Sequence, residues 1–169
     1  YLLGAVLIYG GYGTLDIPLL AQAVRPEPIA WAALALMTVG LLGKSAMFPL
    51  HIWLPPAHGG APAAASAVLS ALVVKTSVVL LYRLWLWSAA GLEREAAALL
   101  LGLLGAAAVL YGSTAALLQQ QLKRVVAYST VAQLGYLMLL FPLAGQPSAW
   151  PAAGLQLLSH GLAKAGMFL

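Results

Sequence analysis

Residues 71–81 read ALVVKTSVVLL, with Lys75 at the centre of an otherwise apolar run. The run belongs to a longer apolar stretch, residues 63–87, whose length would cover roughly 38 Å as a helix rising 1.5 Å per residue. A hydrocarbon core is about 30 Å thick, so this stretch reads as a membrane-spanning helix. Composition agrees with that reading: 63% of residues are hydrophobic and 7% are charged. A soluble domain carries about 25% charged residues, and this chain has too few to clothe a water-facing surface. The fold class expected is an all-α integral membrane bundle.

Working outward from that helix, six apolar spans are expected at residues 1–13, 29–48, 63–87, 96–117, 125–141 and 152–169. They form one transmembrane unit. Residues 14–28 read as a polar connector, with Pro26 and Pro28 stopping any helix, and 91–95, 119–124 and 142–151 read as loops or turns. Pro49, Pro55, Pro56 and Pro62 punctuate the segment after the second span, because each proline inside a helix removes a backbone hydrogen bond. That segment is either an interfacial elbow or part of a broken helix. His51 and His58 lie beside these prolines and read as membrane-boundary residues, as does Trp53. The first residue is not Met, and both ends fall inside apolar runs, as expected of a piece of a longer polytopic protein.

Three of the four lysines, Lys44, Lys75 and Lys164, sit in apolar surroundings. A lysine at the centre of a span costs about 2.5–3.5 kcal/mol on insertion scales. Lys75 is too far from either end of its span for its stem to reach the headgroups, so it is expected to face protein or water. Lys44 lies close to the Pro49 break, where snorkelling competes with an interior role. His160 and Lys164 are four residues apart and share a helical face. A histidine that titrates near neutrality beside a lysine makes a two-membered proton path. Tyr82 shares the face of Lys75, and Ser129, Gln133 and Tyr136 stack on the fifth span as sites for water. For Lys75 the alternative is a structural ion pair. None of the four acids, Asp16, Glu27, Glu93 and Glu95, lies within a span, so carboxylate partners are expected outside this segment.

Other classes are excluded or disfavoured. Without cysteine there is no disulfide, no Cys-ligated metal and no iron–sulfur cluster within the segment. The net charge of +4 forms no basic stripe with interleaved aromatics, which argues against a nucleic-acid partner. No metal site is expected.

The stretches GKSAMFPLHIWLPPAHGGAPAAASAVLSALVVKTSVVLLYRL (43–84), LKRVVAYSTVAQLGYLML (122–139) and SHGLAKAGMFL (159–169) together resemble a known family. It comprises the antiporter-like membrane subunits of respiratory complex I, membrane-bound hydrogenases and Mrp-type Na⁺/H⁺ antiporters. The resemblance implies a bundle of about fourteen helices with inverted repeats and a discontinuous helix in each. It implies that Lys44, Lys75, His160 and Lys164 belong to a proton path, with Lys44 paired to a glutamate outside this segment. It also implies no cofactor in the subunit, other membrane subunits as partners, protons with or without Na⁺ as cargo, and a bacterial inner membrane. The wider complex would then be an antiporter or a redox-driven translocase such as an NADH:quinone oxidoreductase. Three positions depart from the pattern. Pro56 replaces an acid, and Gln156 and Gln133 stand where some members have histidine. The glutamine form is more similar to the Mrp D-type branch.

Overall fold

The computed structural model describes every residue except Ala90, Gly91 and Glu93, so Gly91 and Glu93 of the expected 91–95 loop lie outside the described residues. The described residues form helices and the turns between them, with no strand among them. In chain order the helices are α1 (Leu2–Tyr12), α2 (Ile17–Ala23), α3 (Pro28–Lys44), α4 (Leu54–Gly60), α5 (Ala63–Ser88), α6 (Glu95–Leu117), α7 (Leu122–Leu143) and α8 (Ala149–Phe168).

Helices α5, α6 and α7 are long and apolar enough to cross a membrane, and α1 with α2 is so only when the two are taken together across a bend of 59°. Helix α3 is shorter than expected because its ladder stops at Lys44. Helix α8 is 20 residues long, and its apolar character is diluted by Gln156, Ser159, His160 and Lys164. Leu110, Leu117, Leu158 and Leu162 stand outward, each at least two-thirds exposed. A water-soluble bundle would not display such a surface; lipid or further apolar helices suit it.

The connector is more ordered than its composition suggests. Gly13 ends α1 in the left-handed region at φ 69°, returning its N–H to Tyr9. Asp16 then caps α2, its Oδ1 accepting from the Leu19 N–H at 3.1 Å. Pro18 is harmless in the first turn of α2, where its missing N–H would have no helical partner anyway. Pro26 and Pro28 therefore bound the far end of the connector without keeping helix out of it.

The proline-rich segment is a broken helix. After Lys44 the chain leaves the helical path at Ser45 and Ala46, the latter at φ 53°, a region costly for a residue with a Cβ. Pro49 lies in the turns that follow, Pro55 in the first turn of α4, and Pro62 immediately before α5. Trp53 holds the break together by donating its indole N–H to the Gly43 carbonyl at 2.8 Å.

Helix α5 contains two π-helical stretches, Leu69–Val73 and Arg83–Ser88. At its far end Trp85 donates to Thr38 Oγ1 at 2.8 Å, tying α5 to α3. Trp31 lies 6.4 Å from Trp85 between ring centroids, and Trp87 stacks on Trp150 at 6.2 Å. These four indoles gather where α3 and α8 begin and α5 ends, the arrangement of an interfacial aromatic belt. Helices α6 and α7 pack backbone to backbone. A Cβ on Gly105 would meet the Gly135 carbonyl oxygen at 2.7 Å, and one on Gly112 would meet the Ala132 nitrogen at 2.6 Å. Close approach at small residues is how helices associate where there is little water to drive them together.

Candidate functional site

The π-helical stretch at Leu69–Val73 positions the first amine. A π turn widens the helix and disturbs the regular pairing of its carbonyls. Lys75 uses one of these carbonyls: Nζ donates to the Ser70 oxygen, five residues back, at 2.6 Å. The side chain is 5% exposed and lies along its own helix instead of reaching for the membrane surface.

Separate hydrogen bonds tie α5 to α7 and α7 to α8 at the same level. Ser70 Oγ and Thr130 Oγ1 are 3.0 Å apart. Thr130 commits its only hydroxyl proton to the Val126 carbonyl, also at 3.0 Å, so Ser70 is the donor of that pair. The Val126 carbonyl additionally accepts from Lys164 Nζ at 3.0 Å and from Ser129 Oγ at 2.9 Å. Lys164 also donates to Ser129 Oγ. Two ammonium groups on different helices are thus held by a shared polar seam whose acceptors are carbonyls and hydroxyls.

His160 is 5% exposed, one turn before Lys164 on α8, and both of its ring nitrogens lack a hydrogen-bond partner among the described residues. Helix α8 packs against the π stretch that precedes Lys75 on α5. The division of labour is chemical. Carbonyls only accept, so they fix the amines in place without passing a proton. A lysine amine, an imidazole or a hydroxyl can both take up and release one. A cavity of about 300 Å³, lined by Ser129, Gln133, Ser159, His160 and Lys164 among others, adjoins the seam. Water occupies about 30 Å³ per molecule in the liquid, so the cavity has room for several.

The structure brings Lys75, His160, Lys164 and Ser129 together and leaves the other expected residues apart. Lys44 is the last residue of α3 and is exposed at the helix break. Tyr82, expected to extend the face of Lys75, instead donates its hydroxyl to the Leu137 carbonyl at 2.5 Å and packs on Phe141. Its role is to tie α5 to α7. Tyr82→Phe is expected to lower thermal stability by roughly 0.5–1.5 kcal/mol, read as an earlier melting midpoint in detergent, while leaving transport rates unchanged. Gln133 accepts from Gln156 Nε2 at 2.5 Å, and Tyr136 lies half-exposed beside them.

Two histidines lie deeper in the protein than their neighbouring prolines suggest. His58 is completely buried, stacked on Phe168 at 4.5 Å, with neither ring nitrogen hydrogen-bonded among the described residues. His51 is 5% exposed, with its ring 4.6 Å from that of Tyr111. Both were expected at the membrane boundary. The broken helix folds α4 back into the bundle, and α4 packs against α7, which carries these rings inside. Periodicity is lost at a break, so no spacing in the sequence signals it.

Fold and site together define a polytopic helical membrane protein with ammonium groups in its interior. The family described as "NADH:quinone oxidoreductase/Mrp antiporter, TM" matches residues 1–169, and the chain belongs to that family. It is similar to an NADH-quinone oxidoreductase subunit N of Desulforudis audaxviator, 39% identical over 99% of this chain and 34% of the relative. It is also similar to a probable K(+)/H(+) antiporter protein of Rhizobium meliloti, 39% identical over 96% of this chain and 16% of the relative. Among solved structures, the Mrp complex from Dietzia sp. DQ12-45-1b superposes with a TM-score of 0.88 at 28% identity, covering 99% of this chain and 31% of that one. The archaeal membrane-bound sulfane sulfur reductase gives a TM-score of 0.89 at 32% identity, covering 99% of this chain and 34% of that one. The chain therefore spans about a third or less of the length of these relatives.

Proposed function

We propose that this segment carries part of the proton path of an antiporter-like membrane subunit, with Lys75, His160 and Lys164 exchanging protons along the seam between α5, α7 and α8. The observation that carries the reading is the placing of two buried amines, each fixed by a backbone carbonyl, with the buried His160 imidazole one turn from Lys164 beside a polar-lined cleft. An amine held by neutral acceptors has no fixed countercharge to keep its proton; one locked to a carboxylate has. Asp16, Glu27 and Glu95 are exposed and lie at helix ends or in the connector, away from the amines at mid-span. Lys44, at the helix break, is the switchable charge of the same path, meeting a carboxylate from outside these residues. The whole protein works with other membrane subunits in a bacterial inner membrane and exchanges protons for an alkali cation, Na⁺ being the one the sequence resemblance favours.

A second reading is a proton-pumping subunit driven by the redox chemistry of its partners. It is favoured by the likeness to relatives named as NADH-quinone oxidoreductase subunit N and F(420)H(2) dehydrogenase subunit N. Both readings use the same amines. They differ in whether an imposed cation gradient or a redox substrate drives proton movement.

Lys164→Arg in the full-length protein tests the proposal. Arginine keeps the positive charge and can still donate to Val126 and Ser129, but it does not give up its proton. Proton transport in proteoliposomes is expected to fall at least about tenfold at unchanged assembly, equal to about 1.4 kcal/mol in the barrier. Retention of full transport would reduce Lys164 to a structural cation.

A further inference from the structure

An apolar crevice of about 280 Å³ lies between α1, α2, α3 and α5. All four helices wall it with buried side chains: Ile8 from α1, Leu20 from α2, Leu34 and Leu41 from α3, and Leu84 from α5. The walls are packed on one another, α1 and α5 on α3, and α2 on the second π stretch of α5. The open side is framed by Leu2, Leu15 and Arg83, which are exposed. Along α5 the lining runs from Leu80 to Ser88, roughly 12 Å at helical rise. Ser88 ends α5 at the indole belt. The crevice therefore runs inward from headgroup level through most of one leaflet, which is half of a hydrocarbon core about 30 Å thick. Neither Lys75 nor Lys164 lines it.

We infer that this crevice holds one acyl chain of an anionic phospholipid whose phosphate sits on Arg83. The lining has three polar side chains, Tyr1, Arg83 and Ser88. Ser88 commits its hydroxyl to the Arg83 carbonyl at 3.3 Å. Tyr1 lies beside Gly40, at the end remote from the belt. Arg83 is thus the one cation of the lining, five residues before Ser88, and its long stem lets the guanidinium rise toward the headgroups. That guanidinium lies 5.7 Å from the centroid of the Trp87 ring, within the belt. A planar guanidinium meets phosphate oxygens through two parallel hydrogen bonds. The interior below it suits hydrocarbon and not water, which needs two to four polar partners to settle in a cavity. A cation at the interface above an apolar slot of leaflet depth matches an amphiphile held head outward. A further helix laid over the opening would call for no positive charge there.

The test uses the full-length protein with its partner subunits, delipidated in detergent and titrated with dioleoylphosphatidylglycerol or dioleoylphosphatidylcholine. Native mass spectrometry counts the lipids bound. One phosphatidylglycerol of those held by the wild type is expected to bind at least about tenfold more weakly to Arg83→Gln, with phosphatidylcholine unaffected. Arg83→Lys is expected to stay within about threefold of the wild type, because an ammonium still meets phosphate as a point charge. Ala5→Phe pushes a ring from the half-buried wall of α1 into the crevice and is expected to displace the same lipid with Arg83 untouched. Unchanged phosphatidylglycerol binding by Arg83→Gln overturns the inference. Unchanged binding by Ala5→Phe overturns it too, leaving Arg83 as a surface charge that attracts headgroups or the crevice as a seat for another helix. A melting midpoint lowered equally in both lipids by Arg83→Gln, with no lipid lost, would make Arg83 a structural cation and is a third contrary result. Should Arg83→Gln fail to assemble, Ala5→Phe decides alone.

Discussion

Lys75→Met is expected to abolish proton transport, lowering it at least about tenfold in everted vesicles followed by a pH-sensitive dye, while the protein still assembles. Methionine has nearly the length of lysine and fills much the same space. Two energetic changes oppose each other. Removing a buried ammonium relieves a desolvation penalty of several kcal/mol by general estimates. Removing the donor to the Ser70 carbonyl leaves a buried acceptor short of one bond, a loss of about 1–3 kcal/mol. The first offsets the second, so folding is roughly preserved and a transport defect can be assigned to the missing titratable group. Normal transport by an assembled Lys75→Met protein would leave the amine as a structural device for bracing the π turn.

Gly135→Val is expected to have the largest effect on stability. Gly135 faces Gly105 across the α6–α7 contact, the most extensive helix pairing in the bundle. A Cβ on Gly135 would collide with the Gly105 carbonyl and approach Val109 Cγ2 at 2.9 Å. The obstacles are backbone and a β-branched side chain, which do not swing away, so the helices must move apart. Overpacking of this kind typically costs about 1–3 kcal/mol, and the upper end applies where the obstruction is rigid. Moving α7 also displaces Val126, Ser129 and Thr130, so the polar seam is expected to fail together with the packing. The measurement is the melting midpoint in detergent and the yield of assembled protein, with Gly154→Val, where a Cβ meets nothing within 4 Å among the described residues, as the control. Equal stability of the two variants would contradict the packing account.

The features legible in the sequence are those written in composition and in local spacing. Apolar length and scarce charge disclose an all-helical membrane protein. The four-residue step from His160 to Lys164 discloses a shared face because α8 is regular there. Where the helix departs from its ordinary period the reading fails. No helical spacing announces that the Ser70 carbonyl, five residues back in a π turn, is the partner of the Lys75 amine. Tyr82 has the spacing of a path residue and the contacts of a brace. His58 follows two prolines and looked peripheral, until the break folded its ring inward. The Gln133–Gln156 contact joins residues 23 apart on two helices, and no one-dimensional pattern encodes such a meeting.

The π-helical stretch before Lys75 has a rotational consequence. One surplus residue in a helix turns everything after it by about 100° relative to an uninterrupted α-helix, since 3.6 residues complete a revolution. The bearing of the Lys75 ammonium is therefore dictated by a local dislocation in α5, and not by the choice of lysine at that position alone. Helix α5 behaves as a shaft with a built-in phase offset, and the compass setting of its charge belongs to the five residues from Leu69 to Val73.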